Sequence, residues 1–244
     1  MLEIDIISVQ PQMFAGFLTE SIVARAAKKG LCNVRVVDLK QWGLGRWKKT
    51  DDRPYGGGPG MLMRCEPWFA AVEEIAGGAE AMEASVAAGE LRIVMTTPKG
   101  RKFSQRDAER LSDAAVGPSH LIFLCGHYEG FDARVETLAT DFFSVGDFVM
   151  TGGELAAAAM ADAIVRLLPG ALGGGAAATA SESFGGEGAL EAPQYTHPPE
   201  FRGMEVPKVL MSGDHVKIER WRKAAAEEET RRLRPDLLKG GSNG

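Results

Sequence analysis

LCGHYEGFDARV at residues 124–135 and SVGDFVMTGGEL at residues 144–155 decide the fold. Each starts where a short apolar run ends, HLIFLC at 120–125 and DFFSV at 141–145. Each glycine-rich loop then leads into a helix-like segment. Strand, glycine loop and helix in that order is how α/β proteins hold small molecules at the carboxyl ends of strands. Gly126, Gly130, Gly146, Gly152 and Gly153 let backbone approach a ligand where a Cβ would clash.

The same alternation extends upstream. Strands are expected at 2–9, 33–39 and 91–97, and helices at 12–29, from Pro67 to near Gly77, and at 104–115 opened by Ser104. A long loop is expected at 40–65, a surface connection in the Ala/Gly-rich stretch 77–89, and a short helix at 131–138. Downstream, an Ala-rich helix fits 153–168 and stops at Pro169-Gly170. Alternating strands and helices predict an α/β fold with a mostly parallel sheet. After Gly170 the texture changes: GGGAAATA at 173–180 has the composition of a flexible linker. Three domain-level pieces follow: an α/β domain at 1–170, an interdomain linker at 171–190 and a small helical domain at 191–244, with its main helix at 214–232.

Composition narrows the function classes. The chain has 244 residues, 45% apolar and 25% charged, with net charge −5, an ordinary globular balance. No stretch approaches a membrane span of about 20 apolar residues, and the start, MLEIDIISVQP, reads as a strand rather than a signal peptide. Cys32, Cys65 and Cys125 are too scattered for a zinc site or a disulfide framework, so a reducing, cytoplasmic setting is expected. An acidic chain argues weakly against bulk nucleic-acid binding. The tail is locally different, with Lys217, Arg220, Arg222, Lys223, Arg231, Arg232, Arg234 and Lys239.

Common nucleotide fingerprints are missing. SVQPQMF occupies the first strand–helix turn, where a dinucleotide site needs GxGxxG, and the match at 173–178 falls in the linker. There is no GxxxxGK[ST] loop and no GxSxG elbow. Two further segments invite a ligand: DDRPYGGGPGM at 51–61, with Lys48, Lys49 and Arg53 at hand for phosphates, and the strand-end turn TTPKG at 96–100. A mobile surface loop is an equal reading of the first. Among the histidines, His127 in the glycine loop has the best claim to a pocket, whereas His120, His197 and His215 read as structural or exposed.

These segments, with RLLPGALG (166–173), PQYTHP (193–198) and MSGDHVKIERWR (211–222), resemble the TrmD family of bacterial tRNA (guanine-N1)-methyltransferases, of the SPOUT class. The resemblance follows the whole chain in order. It implies a deep trefoil knot in the carboxyl part of the sheet, which periodicity alone would have excluded. It also implies a homodimer with active sites shared between chains, tRNA as partner and S-adenosylmethionine as methyl donor. The acceptor would be N1 of guanosine-37, next to the anticodon.

Carried over, the donor site comprises Thr96, Thr97, Pro98, Gly126, Tyr128, Glu129, Ser144, Val145, Gly146, Asp147, Phe148, Val149, Met150, Gly152 and Gly153. Arg53, Tyr55, Gly57, Gly58, Pro59, Ser183 and Glu191 would meet the RNA. Arg166 matches an arginine the family needs for activity. The general base is an aspartate in most of the family, in Asp-Ser-Phe; here the triplet is Glu182-Ser183-Phe184, so Glu182 is the expected base, with Glu191 a second acid. No metal site is expected, although Mg2+ helps some relatives. The alternatives are another SPOUT RNA methyltransferase, acting on ribose 2′-OH or on rRNA, and a non-catalytic RNA-binding protein.

Overall fold

The computed structural model describes residues 1–173, 182–185 and 189–238. The chain divides into two compact units, Met1–Gly173 and Gly174–Gly244. The expected linker at 171–190 lies in large part outside the described residues.

The first unit begins with β1 (Leu2–Ser8), a 3-10 turn at Pro11–Phe14, then α1 (Ala15–Thr19), α2 (Ser21–Lys28) and β2 (Cys32–Asp38). A single helix over 12–29 is therefore not formed. Glu20 is extended at φ −120° and ψ 162°, and it divides the segment. The expected loop at 40–65 contains a 3-10 turn (Leu39–Trp42) and the short antiparallel pair β3 (Asp51–Asp52) and β4 (Leu62–Met63). Next come α3 (Cys65–Ile75), α4 (Ala79–Ala87), β5 (Leu91–Lys102), α5 (Gln105–Ser112) and β6 (His120–Cys125). The stretch 77–89 is thus not a plain connection. Gly77 and Gly78, both at positive φ, end one helix, and the alanines that follow have the propensity to start another. A 3-10 turn at Ala133–Leu138 stands in place of the short helix expected at 131–138, before β7 (Asp141–Ser144) and α6 (Glu154–Val165).

Five strands form one sheet in the order β2-β1-β6-β5-β7, every pairing parallel. Side chains alternate across it, as a pleat requires. Ile4, Ile6, Phe123 and Val94 enter one buried cluster with the apolar side chains of α6. Ile7, Leu124, Ile93 and Met95 enter the opposite cluster, with Trp68 and Val72 of α3. Both faces are covered, which suits the continuous apolar strands of a parallel sheet. The small alanines of α6 let it lie close to the sheet; Ala157, Met160, Ala161 and Ile164 are fully buried, while Asp162 faces outward.

β5 runs past its expected end at Thr97. It passes through Pro98, pairs with β7 again after a register shift between Thr96 and Arg101, and so leaves residues 97–100 bulging from the sheet. The second unit contains the two-stranded ribbon β8 (Glu200–Phe201) and β9 (Met204–Glu205), a 3-10 turn at Lys208–Met211, and the long helix α7 (His215–Leu233). Asp214 starts α7 by accepting the Lys217 N–H at 3.1 Å.

Candidate active site

The carboxyl ends of β5, β6 and β7, with the first turns of α6, surround a cleft of about 400 Å3. It lies where parallel sheets bind ligands. Thr96, Thr97 and Pro98 line it from the β5 bulge; Gly126, Tyr128 and Glu129 from the loop after β6; Ser144, Val145, Phe148, Val149, Met150, Gly152 and Gly153 from the loop after β7. Gly146 and Asp147 sit on that last loop but do not line the cleft. Asp147 pairs instead with Lys102 at 2.6 Å.

The glycines are dictated by close approach. Gly153 donates its N–H to the Gly126 carbonyl at 2.8 Å, and so joins two loops. A Cβ on Gly153 would stand 2.0 Å from Thr96 Oγ1 and 3.1 Å from the Cys125 Cα. Thr96 itself is buried and donates to the Leu124 carbonyl at 3.0 Å. On Gly152 the extra carbon would meet Glu154 Oε2 at 2.1 Å. Ser144 Oγ donates to the Gly146 carbonyl at 2.8 Å, which folds the third loop back on itself.

Behind the glycines lies a buried carboxylate. Glu154, the first residue of α6, is 1% exposed. It accepts Ser8 Oγ at 2.7 Å, and His127 Nδ1 stands 3.8 Å away. A carboxylate at a helix amino end is favoured by the helix dipole. Burial, and then the charge of Glu154, push the Cys125 thiol well above its ordinary range, so it stays protonated and is no nucleophile. Burial and Asp51 raise the Tyr128 phenol, which keeps its proton for hydrogen bonding.

The 51–61 loop reaches this site at its carboxyl end. Met61 accepts the Glu129 N–H at 3.0 Å, Met63 donates to Gly130 at 2.9 Å, and Met63 accepts from Asp132 at 2.8 Å. Gly60 lies so close to Glu129 that a Cβ there would meet Oε1 at 2.3 Å. Arg53, Tyr55, Gly57, Gly58 and Pro59 stand away from the cleft lining, with Tyr55 fully exposed. Arg166 follows α6, its N–H donating to Asp162 at 3.0 Å, and does not line the cleft. Glu182, Ser183 and Glu191 belong to the second unit. There the Ser183 hydroxyl accepts the Glu191 N–H at 3.1 Å.

Sequence reading assigned no role in the site to Lys99, Glu136 or the buried Glu154. Lys99 and Glu136 both line the cleft and pair at 2.7 Å. Lys99 was legible as part of the TTPKG turn, but nothing in the sequence marks Glu136 as its partner. Glu154 reads as an ordinary first-turn acid. Among the described residues no group of three His, Cys, Asp or Glu side chains could hold a metal ion, and no helix is long and apolar enough to cross a membrane.

Fold and cleft together define a class: a parallel-sheet α/β protein with a ligand-sized, glycine-walled cleft at its strand ends. The model of one family, tRNA (guanine-1)-methyltransferase TrmD, matches residues 2–240. A tRNA (guanine-N(1)-)-methyltransferase of Anaeromyxobacter sp. (strain K) is 48% identical, over 97% of this chain and 91% of the relative. Namesakes from Moorella thermoacetica (46%; 97% and 90% covered) and Shouchella clausii (45%; 98% and 92%) are similar over the same extent. The chain belongs to the TrmD family of methyltransferases.

Proposed function

We propose that this chain transfers the methyl group of S-adenosylmethionine to N1 of guanosine-37 in tRNA. The observation that carries the reading is the cleft at the strand ends, which Gly126, Gly152 and Gly153 frame by letting their loops close tightly on Phe131, His127, Glu154 and Thr96. Its size suits a small cofactor. Phe148, Val149 and Met150 offer apolar surface to an adenine, and Glu129 offers a carboxylate to the donor's cationic part. When bound, the donor supplies an electrophilic methyl on a sulfonium.

Guanine N1 carries a proton and attacks poorly at neutral pH. Glu182 takes that proton as the N1–methyl bond forms and the sulfur–methyl bond breaks. Arg166 stabilises the negative charge that builds on O6. The glutamate is one methylene longer than the family's aspartate, and its segment adjusts to keep the carboxylate in reach. Ser183, Glu191 and the loop bearing Arg53, Tyr55, Gly57, Gly58 and Pro59 meet the RNA. A base in an anticodon loop must be splayed out to present N1.

The division of labour follows the chain: a knotted donor-binding domain at 1–170, a linker at 171–190, and a tRNA-binding domain at 191–244. On α7, Trp221 stacks at a tilt 6.4 Å from Tyr195, among arginines and lysines suited to an RNA loop. The active form is a homodimer with sites built from both chains. Leu155 of α6, outside the cleft lining and 60% exposed, offers apolar surface such an interface buries. Three buried free thiols suit a cytoplasmic setting.

Incubation of unmodified tRNA with protein and S-adenosylmethionine, followed by nucleoside mass analysis, tests the reading. It predicts 1-methylguanosine at position 37. A 2′-O-methylated product, or none, would sink it. Glu182→Gln is expected to lower kcat by about two to four orders of magnitude with donor affinity nearly unchanged.

A further inference from the structure

We propose that Thr230 and Arg234, at the carboxyl end of α7, are positioning residues that hold the segment bearing Glu182 for proton transfer. The proposal rests on Glu182 as the base. Thr230 is fully buried although α7 is strongly polar. Its hydroxyl donates to the Ala226 carbonyl at 2.7 Å and accepts the Leu190 N–H at 3.0 Å. A threonine inside a helix usually satisfies only its own backbone. Here it also fastens a segment 40 residues away in sequence.

That segment is closed by its own bonds. Phe184 donates its N–H to Ala189 at 2.8 Å, and Gly185 donates to Glu182 at 3.1 Å. Ser183 Oγ holds the Glu191 N–H at 3.1 Å. A pull on Leu190 is therefore felt at Glu182. The second fastening is Arg234. Its guanidinium lies 5.7 Å from the centre of the Phe184 ring and is held in place by Asp236 at 2.7 Å. Phe184 has φ 69°, a conformation that a bulky residue keeps only when its surroundings hold it. The Arg234 N–H donates to the Thr230 carbonyl at 2.8 Å, which links the two fastenings.

The consequence is mechanical. RNA that engages α7 also sets the place of the base, because the base's segment is tied to the end of that helix. A shift of about 1 Å in a reacting group can cost about a hundredfold in rate.

Steady-state kinetics on unmodified tRNA test this with Thr230→Val, Thr230→Ser and Arg234→Ala. Valine keeps the shape and loses the hydroxyl, whereas serine keeps the hydroxyl. Thr230→Val and Arg234→Ala are expected to lower kcat by about tenfold or more, with affinities for tRNA and S-adenosylhomocysteine unchanged and Thr230→Ser close to wild type. Amide exchange at Leu190 should quicken in the valine variant alone. In a Glu182→Gln background, Thr230→Val should cost nothing further, since the two act through one group. Wild-type kcat in both Thr230→Val and Arg234→Ala, or a loss that serine does not restore, overturns the proposal. Arg234 is part-exposed, so its variant still decides if the valine variant fails to fold. If the wild type makes no 1-methylguanosine, the base assignment falls with the function, and Leu190 exchange still judges the tether.

Discussion

At Gly153 one methyl group would force the loop after β7 away from β5 and from the loop after β6. Alanine there would drive its Cβ to 2.0 Å from Thr96 Oγ1 and 3.1 Å from backbone on either side of the Cys125–Gly126 bond. The hydroxyl cannot swing away without abandoning the Leu124 carbonyl in a buried place. Gly153→Ala is expected to cost about 1–3 kcal/mol by overpacking. It should also weaken S-adenosylhomocysteine binding by at least about tenfold, measured by thermal melting and titration calorimetry. Gly16 supplies the contrast, since a Cβ there meets nothing within 4 Å and the residue lies in α1. Gly16→Ala should stabilise by about 0.5–1 kcal/mol. Equal melting points for the two variants would refute the reading of Gly153. The sequence pattern marked this residue as a place of close backbone approach, because clustered glycines after an apolar strand allow one. It was silent on which atom forbids the side chain, since that atom lies on a strand 57 residues upstream in the chain.

Buried carboxylates pin the elements of the first unit to one another. Asp5 of β1, fully buried, accepts two bonds at 2.8 Å from Arg35 of β2 and contacts His120 of β6 at 2.8 Å. Asp141 joins β7 to Arg92 of β5 and Arg110 of α5, while Asp107 joins α5 to Arg101 and to the Ser104 N–H. Burial alone would raise all three carboxyls. The hydrogen bonds and cations around them outweigh it and hold each below its ordinary value. Asp132, bound by Arg134, is lowered to about 2. A carboxylate with a depressed folded value stabilises above its unfolded value of about 3.9 and loses that contribution as pH falls through the folded value. The urea midpoint should therefore be nearly flat from about pH 5 to 8 and drop between about pH 4 and 2. Asp5→Asn should be weaker at pH 7 and show a shallower acid slope; a slope as steep as wild type would count against the ion cluster. These ties explain what sequence reading could and could not reach. β6 was legible because residues buried on both faces form an apolar run, and β1 because Ile4, Ile6 and Ile7 keep a strand pattern around Asp5. α4 was missed because its apolar face is only Met82 and Val86 among alanines, and glycines flank it. The continuation of β5 past Pro98 was missed because a proline ordinarily ends a strand, and only its re-pairing with β7 keeps it extended.

For the whole molecule, the question is where the base and the donor cleft come from. Periodicity reports local partners and carries no information about a chain passing through itself or pairing with a copy. The knot and the dimer are therefore proposals: family membership is the ground for both, and the exposed Leu155 of α6 is a further ground for the dimer. A closed two-fold dimer with composite sites makes a sharp demand. If the proposed roles hold, Glu129→Ala damages the donor cleft and Glu182→Gln removes the base, so each variant alone should be nearly inactive. In a mixed dimer, one site would combine the intact cleft of one chain with the intact base of its partner, and the other site would carry both lesions. Equal mixing after subunit exchange should then restore about a quarter of wild-type activity, since half the dimers are mixed and each has one good site. Sites built within single chains would put one lesion in every site, and mixing would restore nothing. The measurement is 1-methylguanosine formed per dimer as the mixing ratio is varied. A curve that stays at the level of the separate variants would place cleft and base on the same chain.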